Sequence, residues 1–490
     1  MLFNSLGFFL FLPVVLVVFW KLSEQWRWQW LLLASYGFYA SFSPFNLLYL
    51  GPLTIVTLLL GQALSREVSD RKRQFLLAAG LVFTIGSLIV FKFYDFLAGE
   101  IERLMLAWRP STSPIVLPRL RVTAPAGYSF FAFMAASYLI DTYRRKIETK
   151  PRIQDVALYI AYFPKILAGP IERATSFLPQ MKACGVIDAA LFTQGLQLIG
   201  LGLVKKVVIA DNLAPFVDKT FKIAAYASPI DLLMSVYFFA FQIYCDFSGY
   251  TDIAIGVSLL FGIRLMENFR RPYLAKSTTE FWSQRWHISL SRWFRDYLYI
   301  PLSGSKAGEF RRYVNIMLVF VVSGLWHAGL GYGVGWTFLV WGALNGAYQW
   351  ASFATRPVRD LLTEKMPAVS ASLALRIARI FVTFHLILLG WIFFRAQSIN
   401  EALLVIGKIW SALPGMPALA ARYPFTNEQL LGVLMILLLL VFEILDERRS
   451  IWDRLSRAPI ALRWAAYYAG IFSLLILGRW QAKEFIYMQF

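Results

Sequence analysis

Cysteine, histidine and charge are all scarce in this sequence. Of its 490 residues only 2 are cysteine and 3 are histidine, and 16% are charged, against about a quarter in a soluble domain. Cys184 and Cys245 are too few for a disulfide framework, and they lack the suitably spaced further ligands that a metal site needs. We therefore expect neither a disulfide-rich secreted domain nor a bound metal.

Two further absences narrow the class of protein. The sequence has no Asn-x-Ser/Thr sequon, which is compatible with a bacterial inner membrane. It also shows no internal repeat and no duplicated halves, although many transporters carry such halves. The second absence counts against a transporter.

Charge is missing above all from long apolar runs. The chain is 58% hydrophobic, and a helix needs about 20 apolar residues to cross the hydrocarbon core of a bilayer. The longest runs without Asp, Glu, Lys or Arg are residues 2–20, 28–65, 74–91, 122–140 and 313–355. The sequence thus predicts an all-α, polytopic membrane protein with about 11 to 13 membrane-embedded helices. The first run lacks a basic n-region and a cleavage site after Trp20, so we expect a retained transmembrane helix.

The basic residues stand in short clusters beside the apolar runs and give a formal net charge of +19. The clusters are residues 71–73, 144–146, 205–206, 270–271, 311–312 and 448–449. Lys and Arg beside membrane segments hold loops on the cytoplasmic side and contact anionic headgroups. We therefore predict membrane lipids, and no nucleic acid, as the partners of these clusters.

One histidine lies inside the longest uncharged run. His327 ends the sequence Ser-Gly-Leu-Trp-His at 323–327 and is followed by four glycines within 329–335, which disfavour a continuous helix. Irregular backbone inside a membrane is tolerated where it is buried in protein or lines a wet cavity. A neutral buried imidazole suits a general base for a hydroxyl or thiol. The alternative is a histidine satisfied by a backbone carbonyl, but within a membrane we favour the functional interpretation.

Residues 264–312 form a basic segment that differs from the rest of the sequence. Within it, residues 281–299 predict one amphipathic helix in the headgroup plane, because aromatic and polar residues separate onto two faces. The aromatic face carries Trp282, Trp286 and Trp293, and the polar face carries Arg285, Ser289, Arg292 and Asp296. We place the segment on the cytoplasmic side. His287 lies on this helix, where a role in chemistry and simple contact with headgroups are both possible.

Two carboxylates, Asp246 and Asp252, interrupt another apolar stretch. Because they are six residues apart they lie on different faces of a helix, and a shared-proton pair would need a break at Gly249. Helix packing through hydrogen bonds and direct chemistry fit this pattern equally well. The third histidine, His385, lies among bulky apolar residues without a nearby break, which favours a packing role.

A series of short motifs runs through the sequence. The motifs are Tyr-Phe-Pro at 162–164, Ala-Gly-Pro-Ile-Glu-Arg at 168–173, the stretch 244–252, Glu-Asn-Phe at 267–269, Arg-Pro-Tyr at 271–273, Arg-Trp-His-Ile-Ser-Leu-Ser at 285–291, Trp-Phe-Arg-Asp-Tyr at 293–297, the stretch 323–327 and Phe-Ile-Tyr-Met-Gln-Phe at 485–490. Together they resemble the membrane-bound O-acyltransferase family, in particular its bacterial alginate O-acetyltransferase membrane subunits. The resemblance covers one domain over 1–490, with its motif-bearing core at about 122–395. It departs from the family at 303–306, where Ser-Gly-Ser-Lys stands in place of the usual Gly-Gly-Asn.

The resemblance implies an acyl-transfer enzyme with a ring of helices around a central funnel or tunnel. It implies that His327 is the essential histidine and that His287 is a second functional position. It also implies an acyl donor on the cytoplasmic side, either acetyl-CoA or an acylated carrier, with no bound cofactor. A periplasmic partner of the SGNH-hydrolase-like class would then modify a polysaccharide.

We therefore expect acetyl transfer, at a bacterial inner membrane, to an exopolysaccharide such as alginate or to another cell-surface glycan. His327 would be the general base or the transient acyl acceptor, and His287 would orient the donor or stabilise charge. The candidates for binding substrate or donor are Arg285, Arg292, Arg295, Asp246, Asp252, Trp326, Ser323 and Asn268. The alternatives are transfer of D-alanine or another acyl unit to a cell-wall polymer or peptidoglycan, and a glycan transporter or flippase.

Overall fold

Two compact units that interleave along the chain make up the protein. The computed structural model describes the chain apart from residues 68, 109–115, 121–124, 148–150, 184–186, 303, 305–307, 329–334, 481–484 and 487–490. One unit comprises residues 1–199 and 250–266, and the other comprises residues 200–249 and 267–486. Regular structure in the described residues is entirely helical, which confirms the all-α prediction. Since neither unit is continuous in sequence, the single domain over 1–490 stays a prediction.

The first unit contains the N-terminal helices around an aromatic core. Phe3 stacks on Tyr250 with ring centroids 4.6 Å apart, and the indole N–H of Trp20 donates to the Leu260 carbonyl at 3.0 Å. Its helices are α1 (Leu6–Lys21), α2 (Glu24–Ala40), α3 (Leu47–Arg66), α4 (Asp70–Leu81), α5 (Ser87–Trp108), α6 (Tyr128–Tyr143), α7 (Ile153–Ala161) and α8 (Ala174–Ala183). A π-helical turn, Val82–Gly86, joins α4 to α5.

The second unit contains most of the remaining helices, while α9 and α11 begin in one unit and end in the other. These helices are α9 (Ala189–Leu203), α10 (Asp211–Lys222), α11 (Pro229–Leu260), α12 (Thr278–Glu280), α13 (Ile288–Phe294), α14 (Glu309–His327), α15 (Trp336–Ala354), α16 (Arg356–Lys365), α17 (Pro367–Ser370), α18 (Leu373–Arg395), α19 (Ile399–Ala412), α20 (Met416–Arg422), α21 (Asn427–Arg448), α22 (Ile451–Arg457) and α23 (Ile460–Leu477). Three π-helical segments interrupt them, at Val204–Ala210, Phe281–Arg285 and Arg295–Tyr299.

Long apolar helices confirm a polytopic membrane protein. Among the described residues, 7 helical segments are long and apolar enough to cross a membrane. They are Pro44–Arg66, Asp70–Trp108, Pro229–Leu260, Leu373–Arg395, Ile399–Arg422, Asn427–Arg448 and Ile460–Leu477. α1 is a shorter apolar helix. The number of 11 to 13 embedded helices, which includes shorter segments, stays a prediction.

Helices α14 and α15 approach closely enough for their backbones to touch. A Cβ atom added to Gly324 of α14 would lie 2.4 Å from the Phe338 carbonyl oxygen of α15, so any larger residue would force the helices apart. α14 ends at His327, as the glycine-rich sequence predicts, although residues 329–334 of that sequence lie outside the described residues. The close contact places the end of α14 beside the aromatic side chains of α15.

The prediction of one amphipathic helix over 281–299 is wrong. The π-helical segment Phe281–Arg285 is followed by a break, and α13 begins only at Ile288. At the break His287 has φ 43°, a left-handed conformation that no right-handed helix contains. Trp286 is 1% exposed and stacks on Phe281 with ring centroids 5.5 Å apart, so this segment is packed inside the protein. Around the break the alternating aromatic and polar residues are buried inside the protein, whereas Arg292 and Arg295 further along the segment are exposed.

The break at Gly249, which a paired Asp246 and Asp252 would need, is absent. α11 continues through Gly249 and keeps the two carboxylates six residues apart on one helix. The glycine serves close packing instead, since a Cβ atom there would lie 2.7 Å from the carbonyl oxygen of Gly202. It lets α11 contact the chain that leads into the π-helical segment Val204–Ala210.

Candidate active site

His327 is buried at the end of α14, and its ring is tied to its own helix. Nδ1 lies 2.6 Å from the carbonyl oxygen of Ser323, one turn earlier. Because a carbonyl oxygen only accepts hydrogen bonds, Nδ1 carries the proton and donates it. In the neutral ring the lone pair is then on Nε2, the atom that a general base uses. The bond to a backbone carbonyl, which by itself suggests a structural histidine, fixes the tautomer that proton transfer requires.

Aromatic side chains surround the His327 imidazole. The ring centroids of Trp326, Trp341 and Phe394 lie 4.6, 5.1 and 5.5 Å from that of His327, and Phe338 is stacked with it at 6.5 Å. Phe338 and Trp341 belong to α15, and Phe394 belongs to α18. Such apolar walls exclude water and strengthen electrostatic interactions with the imidazole.

His287 is held in the same way by Asn268. The Nδ1–H of His287 donates to Oδ1 of Asn268 at 3.1 Å, and this oxygen also accepts the backbone N–H and the hydroxyl of Ser289, at 3.2 and 2.9 Å. Since the backbone N–H of Ser289 is always a donor, the Asn268 atom facing it is the amide oxygen. That oxygen requires His287 to carry its proton on Nδ1. Asn268 therefore sets the tautomer of His287 as Ser323 sets that of His327.

Trp326 joins the two histidines in one site. Its ring centroid lies 6.3 Å from that of His287 and 4.6 Å from that of His327. Phe247 of α11 packs on His287, with centroids 4.8 Å apart. Burial lowers the pKa of His287 well below its ordinary value and the neighbouring His327 lowers it further, so His287 is neutral at pH 7. The neutral His287 can therefore accept a proton but carries no extra proton at pH 7.

The lowered pKa of His287 predicts a loss of stability in acid. The unfolded chain binds the proton with a pKa of about 6.5, more tightly than the folded protein does, so the free energy of unfolding falls as the pH drops below that value. The limiting slope is about 1.4 kcal/mol per pH unit for one group. We expect denaturation of the detergent-solubilised protein between pH 7 and 5.5 to show a shallower dependence in His287→Gln than in the wild type. An identical pH dependence would contradict the neutral assignment.

Of the three predicted donor-binding arginines, Arg285 is committed to internal contacts. Its Nε donates to Glu280 at 2.6 Å and its Nη2 donates to Glu447 at 2.8 Å. This arrangement leaves the predicted contact between Arg285 and an anionic donor without geometric support. Arg292 of α13 and Arg295 are exposed, and Arg295 pairs with the adjacent Asp296 at 2.9 Å. These two arginines stay the candidates for donor binding.

Asp246 lies in a buried ion cluster. One of its carboxylate oxygens accepts a hydrogen bond from Nζ of Lys206 at 2.6 Å, and the same ammonium group donates a hydrogen bond to Asp211 at 3.0 Å. The other oxygen accepts the backbone N–H of Ile486 at 2.7 Å. The cluster therefore ties α11 to the π-helical segment Val204–Ala210 and to the chain that follows α23. Burial of Lys206 contradicts the lipid contact predicted for the basic pair 205–206.

Asp252 lies in the first unit, whereas both histidines lie in the second. The structure therefore brings together His327, His287, Trp326, Ser323 and Asn268 out of the predicted site residues. Ser323 contacts His327 through its carbonyl group, and Trp326 contacts both histidines through its ring. The role of these two residues in binding substrate or donor stays a prediction.

Replacing Asp246 with Asn is expected to lower the free energy of unfolding by about 2–3 kcal/mol, because the buried Lys206 ammonium then has one carboxylate fewer. Asp231→Asn is the matched control on the same helix. The Asp231 carboxylate accepts hydrogen bonds from the hydroxyls of Ser228 and Tyr423, and it pairs with no ammonium group among the residues that the structure describes. Denaturation in detergent measures both. Equal losses for the two variants would contradict a special role of the cluster.

Several residues with structural roles in this unit were not predicted as site residues from the sequence, namely Lys206, Glu280, Glu443 and Glu447. Glu443 is 3% exposed and accepts the hydroxyl of Tyr244. The signal that would have found it is a carboxylate inside an apolar helix, the same signal that singled out Asp246. Glu280 and Glu447 carry no such signal, since each lies at the end of a helix and Glu447 also stands among other charged residues.

His385 makes the contacts of a packing residue. Its Nδ1 donates to the carbonyl of Phe381, one turn earlier, at 2.8 Å, and its Nε2 lies 2.7 Å from the hydroxyl of Tyr237 on α11. These bonds link α18 to α11, which supports the predicted role. Within the described residues, no group of three or more His, Cys, Asp or Glu side chains is placed to hold a metal ion.

Known proteins are similar to this chain in sequence. The family model described as MBOAT, membrane-bound O-acyltransferase family, matches residues 37–394. The chain is 36% identical to a probable alginate O-acetylase of Pseudomonas aeruginosa, over 82% of this chain and 73% of that protein. It is 34% identical to a peptidoglycan O-acetyltransferase of Helicobacter pylori, over 83% and 79%, and 25% identical to a teichoic acid D-alanyltransferase of Bacillus subtilis, over 56% and 69%. Since the family model matches most of the chain and the match is supported by relatives of 34–36% identity, the chain belongs to the membrane-bound O-acyltransferase family.

Proposed function

We propose that this membrane acyltransferase is an O-acetyltransferase of a bacterial inner membrane that supplies acetyl groups for a cell-surface glycan. The observation that carries the proposal is the pair of buried histidines that both contact Trp326, each with its proton fixed on Nδ1. Such a pair suits proton transfer to and from an acyl acceptor, and it is not a structure that a simple transport path requires.

The acetyl group is supported by the names of the relatives. The relatives at 34–36% identity that cover most of this chain are O-acetylases or O-acetyltransferases, of alginate or of peptidoglycan. The D-alanyltransferase relatives match a smaller share of the chain at lower identity. The proposed final acceptor is therefore a polysaccharide such as alginate, with peptidoglycan as the second candidate.

In the proposed reaction, Nε2 of His327 takes the proton from an acceptor hydroxyl while that oxygen attacks the acyl carbon of a donor thioester. A C–O bond forms and the C–S bond breaks, and the sulfur leaves with the bonding electron pair and takes the proton from the imidazolium. The products are an ester and a free thiol, and His327 returns to its neutral form. The Ser323 carbonyl accepts the Nδ1–H throughout and stabilises the transient imidazolium.

The donor in this proposal is acetyl-CoA or an acetylated carrier on the cytoplasmic side. Both are anionic, and the exposed Arg292 and Arg295 are the described side chains proposed to attract their phosphates. The resemblance adds a periplasmic partner of the SGNH-hydrolase-like class, to which the acetyl group would pass before it reaches the glycan.

Inverted membrane vesicles test this proposal, because they expose the cytoplasmic face and trap periplasmic components inside. We expect acetyl-CoA labelled with ¹⁴C in the acetyl group to yield alkali-labile label on polymer in the lumen. That label is expected to be absent from vesicles carrying His327→Gln at equal abundance. If the polymer is labelled only when the label is supplied as D-alanine on a carrier, the transferred group is D-alanine rather than acetyl. Passage of unmodified glycan across the vesicle membrane would instead favour a transporter.

A further inference from the structure

A network of ion pairs connects the end of α21 to the backbone that presents His287. Arg285 is at its centre, with 9% of its side chain exposed. Its Nη2 and Nη1 donate to the two carboxylate oxygens of Glu447, at 2.8 and 3.3 Å. Both oxygens of Glu447 thus accept hydrogen bonds from the guanidinium, in the bidentate geometry typical of Arg and carboxylate.

Arg285 in turn holds a second backbone segment. Its Nη1 donates to the carbonyl oxygens of Arg270 and Arg271 at 3.3 and 3.2 Å, and its own carbonyl accepts the N–H of Arg270 at 2.9 Å. Glu447 reinforces this contact, because it also accepts Nη1 of Arg271 at 2.9 Å. The segments 268–271 and 285–289 are therefore fixed side by side at this end.

The same two segments meet again at His287. The N–H of Ile288 donates to the Asn268 carbonyl at 3.0 Å, and the Asn268 side chain accepts the Nδ1–H of His287. The alignment of these two segments therefore determines whether the hydrogen bond between His287 and Asn268 can form. His287 also has φ 43°, a conformation that a non-glycine residue keeps only when its surroundings impose it. The backbone around His287 therefore depends on contacts with other segments to keep this conformation.

We propose that Glu447 is the positioning residue that provides this support. By holding Arg285 it keeps the segments 268–271 and 285–289 in register, and so orients the His287 imidazole toward the site. Glu447 lies outside residues 37–394, the part of the chain that the family model matches. The effect on catalysis rests on the proposed function, whereas the orientation of the ring does not.

Magic-angle-spinning NMR of protein labelled with ¹⁵N in histidine tests the orientation directly, because the chain has only 3 histidines. The His287 signals are identified by their absence from His287→Gln. In Glu447→Gln we expect the His287 Nδ1 and Nε2 signals to shift or broaden, while those of His327 and His385 stay in place. Unchanged His287 signals would overturn the proposal.

Glu428→Gln is the matched control for this experiment. Glu428 is the same residue type on the same helix, but it is 77% exposed and only pairs with Arg479 at 3.4 Å. We expect its substitution to leave all histidine signals unchanged. If the Glu447→Gln protein does not accumulate, Glu447→Asp is used in its place, because aspartate keeps the charge while its shorter side chain moves the carboxylate away from Arg285. The histidine NMR signals and the acyl-transfer rate are then measured on this variant.

A double-mutant comparison separates positioning from a general structural effect. Glu447→Gln is expected to lower the acyl-transfer rate at least about tenfold in the wild-type background, because small misplacements of catalytic groups are costly. In the His287→Gln background it is expected to change the rate less than about twofold. The same loss in both backgrounds would show that Glu447 does not act through His287. A wild type without acyl transfer would refute the proposed function, while the NMR result would still decide the positioning.

Discussion

Replacing His327 with Gln is expected to lower the rate of acyl transfer by about 10³-fold or more, with unchanged protein abundance. Glutamine retains a side-chain N–H that reaches the Ser323 carbonyl, so the helix end survives, but it offers no lone pair of imidazole basicity at the Nε2 position. General base catalysis by a positioned side chain contributes about 10²–10⁴-fold. Release of the donor thiol, coupled to ester formation, measures the effect.

His385→Gln is the matched control for His327→Gln. Both histidines donate Nδ1–H to the carbonyl oxygen four residues earlier on their own helix, at 2.6 Å for His327 and 2.8 Å for His385. We expect the His385 variant to keep the acyl-transfer rate within about threefold of wild type, as for a substitution remote from the chemistry. A His327→Gln protein that retains a comparable rate would exclude His327 as the base and as the acyl acceptor.

Replacing Asn268 with Leu is expected to lower the rate of acyl transfer by about 10²-fold. Leucine is similar in size to asparagine but leaves three buried donors, on His287 and Ser289, without their common acceptor. The cost in the free energy of unfolding is about 3 kcal/mol, and the larger effect on rate follows from the loss of the His287 orientation. Steady-state kinetics and denaturation on the same preparation measure both effects.

Asn315→Leu distinguishes loss of orientation from general destabilisation. Asn315 is also buried, and its amide donates to the carbonyls of Leu302 and Gly304 at 2.8 and 3.2 Å, away from either histidine. We expect a similar loss of stability with a rate within about threefold of wild type. If both asparagine variants lose the rate in proportion to their stability, Asn268 has no orienting role.

The position of His327 at the end of a helix could be predicted from sequence because its signal is local. A lone His in a long uncharged run, followed by glycines, marks both a functional candidate and the end of a helix, and α14 ends at His327. The two interpretations weighed for His327 turn out to be compatible. The carbonyl bond that is typical of a structural histidine also places the ring's lone pair on Nε2, as the proposed general base requires.

The role of Arg285 could not be predicted, because its partner is distant in sequence. Arg285 and Glu447 are 162 residues apart and meet only when α21 is packed in the second unit. A basic residue in a basic segment therefore looked available for an anionic donor. Long-range ion pairs leave no periodicity or spacing that a single sequence can display.

The prediction of helix breaks from the positions of glycine shows the same limit of sequence analysis. Gly249 offered the conformational freedom for a break, yet the chain uses it for a close contact between backbones within a continuous α11. The actual break falls at His287, which is not a glycine and whose left-handed conformation is imposed by contacts with residues 268–271. Local composition identifies where a break is cheap, whereas tertiary contacts decide where it occurs.

Mass spectrometry of the surface glycan tests the central claim most directly. A strain that lacks this gene is complemented with the wild type or with His327→Gln at equal abundance. The glycan is expected to carry O-acetyl esters with the wild type and to lack them both without the gene and with His327→Gln. O-acetylation at the wild-type level in the His327→Gln strain would contradict the account.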